Sequence, residues 1–234
     1  MKRVITMMVA IVMALGVAVQ SEADLQTIGT ATYMGGDYNL IYDNDDDLVW
    51  LDYTVATTLP WASLDSWASG LGGSLTYNLN AGHSMTWSET DWRLPATVDG
   101  PRVYGYDGTT TAGYNITSSE LGHLYYSELG NLGYVSTDND WPQPGYGLEN
   151  TGDFSNLKSG GYWSGTEYSS DTSKAWFFDT SSGVQDSATK TLSKRGMAVR
   201  SGQLAVVPEP VSVILFLIGG ATLGFRRLGM KSIK

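Results

Sequence analysis

From Thr30 to Tyr53 the apolar positions fall into two short extended runs, Tyr38-Asn39-Leu40-Ile41-Tyr42 and Leu48-Val49-Trp50-Leu51-Asp52. Between them stand Asp43-Asn44-Asp45-Asp46-Asp47, all turn formers, so the pattern predicts a β-hairpin. After Pro60, Trp61, Leu64, Ala68 and Leu71 recur at near-helical spacing, and Gly72-Gly73 can close such a helix with a left-handed cap. Residues 74–89 read as loop, leading to Trp92-Arg93-Leu94-Pro95, where Pro95 biases Leu94 toward extended backbone. Residues 96–115, rich in Gly, Thr, Tyr and Asp, are longer than an ordinary connection and read as a surface excursion. Thr117-Ser118-Ser119-Glu120 has the spacing of a capping box and opens a second helix through Leu121, Leu124, Tyr125 and Leu129. A second loop spans 131–158. Extended structure returns at Gly161-Tyr162-Trp163-Ser164, followed by a hairpin of 174–179 and 184–188 around Ser181-Ser182-Gly183 and a closing strand at 196–200.

The two ends carry a different pattern. Lys2-Arg3 precede an apolar run from Val4 to Val19, and Ser21-Glu22-Ala23 places small residues three and one positions before Asp24. This is the layout of a secretory signal peptide over residues 1–23, cleaved between Ala23 and Asp24, with a retained N-terminal anchor as the alternative. At the other end Val207-Pro208-Glu209-Pro210 is followed by an apolar run, Val211 to Phe225, and then Arg226-Arg227. Two prolines force any helix to begin after Glu209. Counted through Leu228, with the arginines snorkelling, the segment 211–228 rises about 27 Å, enough for a thin bilayer. Basic residues at both extremes keep the ends in the cytoplasm and put the middle across the membrane. The segment 207–234 resembles the PEP-CTERM sorting signal of exported bacterial proteins. That resemblance implies Sec-type export machinery, signal peptidase and an exosortase as partners, cleavage near the Pro-Glu-Pro marker, and a final place at the cell surface or in the extracellular matrix. A plain C-terminal anchor is the alternative.

The delivered part, 24–206, has the length of one domain. Setting aside six basic and two acidic residues in the tails leaves eight basic and 22 acidic, a net charge of −14. Nucleic acid is an unsuitable partner for such a surface. The chain has no cysteine, so no disulfide or thiolate chemistry is available, and stability must come from packing of its eight Trp and 14 Tyr.

Residues 38–201 are similar to the Lcl C-terminal-like domains of bacterial surface proteins. The resemblance rests on the order of Asp47-Leu48-Val49-Trp50, the Trp-bearing helix before Gly72-Gly73, Trp92-Arg93-Leu94-Pro95, Glu120-Leu121-Gly122-His123-Leu124, Gly161-Tyr162-Trp163-Ser164 and Ala198-Val199-Arg200. It implies an α+β, C-type-lectin-like fold, with two helices beside antiparallel sheets and the first and last strands close together. Three departures stand out: acidic residues replace the usual Thr-Gly before Leu48-Val49-Trp50, the family's frequent cysteines are absent, and residues 96–117 are extended.

Candidate chemistry is sparse. Trp50, Trp92-Arg93-Leu94-Pro95 and Tyr162-Trp163-Ser164 read as structural corners, with Arg93 paired to an inward carboxylate. Asp43, Asp45 and Asp47 could supply oxygens to calcium, but Leu48 and Thr54 stand where an EF-hand needs Gly and Glu, and a solvated turn is the plainer reading. No Gly-x-Ser-x-Gly or His-Glu-x-x-His is present, and His83 and His123 are isolated. Asn115-Ile116-Thr117 matches a glycosylation sequon without consequence for a bacterial chain. Tyr104, Tyr106, Tyr114, Trp141 and Tyr146 lie in the two long loops, where binding residues concentrate. The expectation is therefore a non-enzymatic, lectin-like surface or extracellular-matrix protein that binds polysaccharide or another surface component. A carbohydrate-active enzyme and a purely structural matrix component are the alternatives.

Overall fold

The computed structural model describes residues 25–206. The expected signal peptide 1–23, its cleavage junction at Asp24 and the sorting segment 207–234 lie outside the described residues. Among the described residues no helix is long and apolar enough to cross a membrane.

Strand β1 (Leu25–Tyr33) runs antiparallel to β2 (Gly36–Asp43), and β2 to β3 (Leu48–Leu51). The predicted hairpin has Leu40 opposite Leu51 and Asp43 opposite Leu48. Residues 74–89, read as loop from the sequence, instead hold β4 (Thr76–Leu79) and β5 (His83–Trp87). Each is only four or five residues long, too short for its alternation to stand out. With β11 (Ala198–Val206) they complete a six-stranded sheet in the order β4-β1-β2-β3-β11-β5. Its edge strands β4 and β5 are consecutive in the chain, and the rings of Tyr77 and Trp87 lie 5.8 Å apart across them. The sheet thus curls into a nearly closed barrel. Two strands, β2 and β3, stand between β1 and β11. At Gly29 the β1 backbone bulges so close to β4 that a Cβ would meet the Asn78 carbonyl oxygen at 2.3 Å, which leaves room for glycine only.

A second sheet combines β6 (Tyr104–Gly105), β7 (Ala112–Gly113), β8 (Gly161–Glu167), β9 (Lys174–Asp179) and β10 (Val184–Thr189) in the order β6-β7-β10-β9-β8. Only the short β6–β7 pair is parallel. The fold is α+β with few helices.

Helix α1 (Trp61–Ser69) buries Leu64 and Ala68 on one face, and its Trp61 indole donates to the Ser164 carbonyl of β8 at 2.8 Å. The expected left-handed glycine cap does not form. Gly70 caps in right-handed geometry, φ −82°, and the chain tightens into a 3₁₀ turn, Leu71–Gly73, that buries Leu71. The capping box is also rearranged. Ser119, not Thr117, caps α2 (Glu120–Gly122), its hydroxyl accepting from the Gly122 amide at 3.1 Å. Glu120 is drawn away by Arg93. After α2 the chain continues as a π-helical turn, His123–Glu128, closed by the Leu129 amide on the Leu124 carbonyl.

The period of two along β2, β3 and β11 divides the core. Leu40, Tyr42, Val49, Leu51 and Ala198 face α1 and Trp92, whereas Ile41, Leu48, Trp50 and Val199 face α2, the π turn and Phe154. The central strands are therefore buried on both faces. Trp50, Trp92, Trp163 and Trp176 are all fully enclosed, each contributing roughly 4–6 kcal/mol of gross burial before chain entropy is subtracted.

Candidate functional site

Three groupings bring together residues singled out by the sequence. The first is a clamp around Arg93. Trp92 points into the core, with its indole N–H donating to the Tyr77 hydroxyl at 2.8 Å, and Arg93 faces the opposite way while its backbone pairs with Val199 of β11. The guanidinium donates two parallel bonds to Glu120, both 2.7 Å, and a third from Nε to Glu89 at 2.9 Å. Glu120 also accepts from the Ala96 amide at 2.6 Å, just past Leu94 and Pro95. Burial alone would raise the Glu89 carboxyl, but the Ser201 amide and Arg93 outweigh it and hold Glu89 below its ordinary pKa. The guanidinium thus engages protein groups through Nε, Nη1 and Nη2. Likewise the Tyr162 hydroxyl accepts from the Lys158 amide at 2.8 Å, Trp163 is buried with its indole N–H on the Leu59 carbonyl, and the Ser164 hydroxyl accepts from the Thr166 amide.

The second grouping is built from the two long loops. Asn115, in left-handed backbone geometry, donates its amide to the Tyr106 carbonyl at 2.7 Å and to the Val135 carbonyl at 2.9 Å, so the sequon asparagine ties one loop to the other. The Tyr126 hydroxyl accepts from the Asn115 backbone amide and donates to the Gly183 carbonyl, fixing the first loop to the π turn and to the β9–β10 turn. On this frame four rings form a row: Tyr104–Tyr114 at 6.3 Å, Tyr114–Tyr134 at 6.5 Å and Tyr134–Tyr146 at 4.9 Å between centroids. Tyr134 was not singled out from the sequence. The row ends at Arg102, whose guanidinium sits 5.3 Å over the Tyr104 ring and forms a bidentate pair with Asp186. Tyr104 and Tyr146 are 50% and 40% exposed. Burial, and next the neighbouring Tyr104 hydroxyl, push the Tyr114 hydroxyl up to about 12, so it stays a neutral donor at physiological pH. Tyr106 and Trp141 are exposed on the same loops but are not members of the ring row.

The third grouping surrounds the β2–β3 turn. Asp43 is buried, and one of its oxygens accepts from the Asp45 and Asp46 amides. Asp47, in left-handed geometry, leaves the group: its carboxylate accepts from the Tyr42 hydroxyl at 2.6 Å. Asp46 and, from the π turn, His123 and Glu128 stand beside Asp43 and Asp45 instead. Burial raises the pKa of Asp43, and the charge of Asp46 raises it further. Burial also raises Glu128, with Asp43 and Asp45 adding to the effect and His123 opposing it. A separate pocket of about 440 Å³ lies between Tyr38, Tyr53, Asn156, Lys158 and Arg195. Sequence spacing could not reveal the last two groupings, since their members lie far apart in the chain. The chain matches no protein-family model, no curated protein and no solved structure.

Proposed function

We propose that this chain is an exported bacterial surface or matrix protein whose domain binds a neutral polysaccharide along the Tyr104–Tyr114–Tyr134–Tyr146 row, without turning it over. The row is the observation that carries the reading. Four rings from two loops that are hydrogen-bonded to each other stand at fixed spacing with neighbouring planes at 89°, 38° and 90°, and the exposed Tyr104 and Tyr146 at its two ends offer faces and hydroxyls of the kind sugar rings stack on. A net charge of −14 disfavours strongly anionic glycans unless a cation intervenes. Export rests on the signal-peptide pattern ending at Ala23 and on the Val207-Pro208-Glu209-Pro210 marker with Arg226-Arg227, which would engage signal peptidase and an exosortase. The C-type-lectin-like fold of the Lcl C-terminal-like domains belongs to the same proposal. Two short helices beside antiparallel sheets support it.

The test is a binding isotherm of the full chain on neutral matrix polysaccharide, with reducing-sugar release measured in parallel. Tyr104→Ala and Tyr146→Ala should each weaken binding at least about fivefold at unchanged melting temperature, a single-ring contribution of about 1 kcal/mol. Equal affinity in both variants, or steady release of reducing sugar, would overturn the reading.

A further inference from the structure

We propose that Asp43, Asp45, Asp46, His123 and Glu128 bind one divalent cation of the zinc or manganese type, which staples the β2–β3 turn to the π turn. Donor atoms of Asp43, Asp46 and His123 lie within 4.8 Å of one another, as do those of Asp45, His123 and Glu128. An ion bonding at about 2.0–2.2 Å holds its donors no more than about 4.4 Å apart, so within each of these two trios, which share His123, the side chains need to close only slightly.

Acidic clusters are common on surfaces, and proximity alone would carry nothing. What sets this one apart is that two of its buried carboxylates each keep one oxygen without a donor. The Glu128 side chain is 2% exposed, and its Oε2 has no hydrogen-bond donor. Asp43 is 1% exposed, and its Oδ2 is likewise without a donor. Leaving a buried carboxylate oxygen unpaired is costly, and two such oxygens in one cluster of like charges call for a positive group. The Trp50 indole N–H lies beside Asp43 and favours its charged form without closing to a hydrogen bond, so the Glu128 Oε2 is the more isolated of the two oxygens. His123 stands beside both Asp43 and Glu128, one imidazole nitrogen ligand among four carboxylates.

The backbone supports the same conclusion. Residues five apart point roughly 140° away from each other on a regular α-helix. The π turn brings His123 and Glu128 to one side, with Nε2 and Oε1 3.1 Å apart. A pocket of about 330 Å³, lined by Asp46, Ser118, Ser119, Glu120 and His123, gives an ion a path from solvent and room for water ligands. The imidazole decides the metal class. Calcium takes six to eight oxygens, whereas one nitrogen with carboxylate oxygens suits zinc or manganese.

The experiment is calorimetric titration of the chelator-stripped full chain with Zn²⁺, Mn²⁺ and Ca²⁺ separately, followed by thermal melts. One ion per chain is expected, with zinc or manganese at least about tenfold tighter than calcium. At a free-ion concentration a hundredfold above Kd the melting temperature should rise by about 5–10 °C. His123→Ala and Glu128→Gln should each weaken binding at least about tenfold, and Asp47→Asn should leave it unchanged. Without ion, Glu128→Gln should melt no lower than the parent chain, because it removes a buried charge whose Oε2 is unpaired while the amide can keep the contact to His123. Absence of stoichiometric binding, calcium binding tighter than both other ions, or binding that survives His123→Ala and Glu128→Gln would overturn the proposal. A lowered ion-free melting temperature for Glu128→Gln would overturn it too, by making the His123–Glu128 contact an ordinary structural pair.

Discussion

Replacing Arg93 by lysine keeps the charge and removes the fork. The guanidinium donates to Glu120 twice at 2.7 Å, to Glu89 at 2.9 Å and to the Leu94 carbonyl at 3.3 Å. A lysine ammonium at the same backbone position can reach one carboxylate at a time, so about two charge-assisted bonds disappear. Fully buried, such bonds are worth about 1.5–3 kcal/mol each. Here the side chains of Arg93, Glu89 and Glu120 are 30%, 34% and 17% exposed, so water replaces part of what is lost. Discounting by about half gives a destabilisation of about 2 kcal/mol for Arg93→Lys, or roughly 4–8 °C in Tm for a domain of this size. Equilibrium urea unfolding of Arg93→Lys, Glu120→Gln and the double variant reads the coupling directly, with about 1–2 kcal/mol expected between the two positions. Unchanged melting of Arg93→Lys, or additive single variants, would refute a clamp built on this pair. So would a loss of glycan binding without loss of stability, which would make Arg93 a ligand anchor.

Trp92→Ala removes a side chain that is 1% exposed and strands the Tyr77 hydroxyl, so it should cost about 3–5 kcal/mol by urea unfolding, with glycan affinity of the remaining folded protein unchanged. Glu89, held below its ordinary value of 4.5, stabilises the fold at pH values above that point and loses the contribution as pH falls through its folded pKa. The parent chain should therefore lose more melting temperature than Glu89→Gln between pH 5 and pH 3. Asp52 has the opposite sign: burial raises its pKa despite amide donors from Ser155 and Asn156 at 2.9 Å, so its charged form costs stability above its ordinary range, and Asp52→Asn should flatten the pH profile there. Mass spectrometry of exported protein should find an N-terminus at Asp24 and a C-terminus lacking Arg226-Arg227; an intact basic end would leave a plain anchor.

Elements with strong local patterns were legible in the sequence. The β2–β3 hairpin, α1 and the β9–β10 hairpin follow from alternation, helical spacing and turn residues. Caps were less legible because tertiary bonds outbid local ones. Glu120 could reach back to Thr117 within its own chain segment, but Arg93, 27 residues away, offers two charge-assisted bonds. Strands β4 and β5 were hidden because they are short and depend on β1 and β11 to complete their ladders. At the candidate sites the sequence could name Tyr104, Tyr114, Tyr146, Asp43 and Asp45, but not Tyr134, Asp46, His123 or Glu128 as their companions. Those neighbours depend on loop crossing and π winding, which leave no period in the chain.

The most direct test of the binding site is a titration of the full chain with a neutral matrix oligosaccharide, followed by the ring-proton NMR signals of its tyrosines. The row geometry predicts saturable shifts at Tyr104, Tyr114, Tyr134 and Tyr146, with Tyr38 and Tyr53 unmoved. Shifts confined to Tyr38 and Tyr53, which line the pocket with Asn156, Lys158 and Arg195, would contradict it and move the binding site to that pocket.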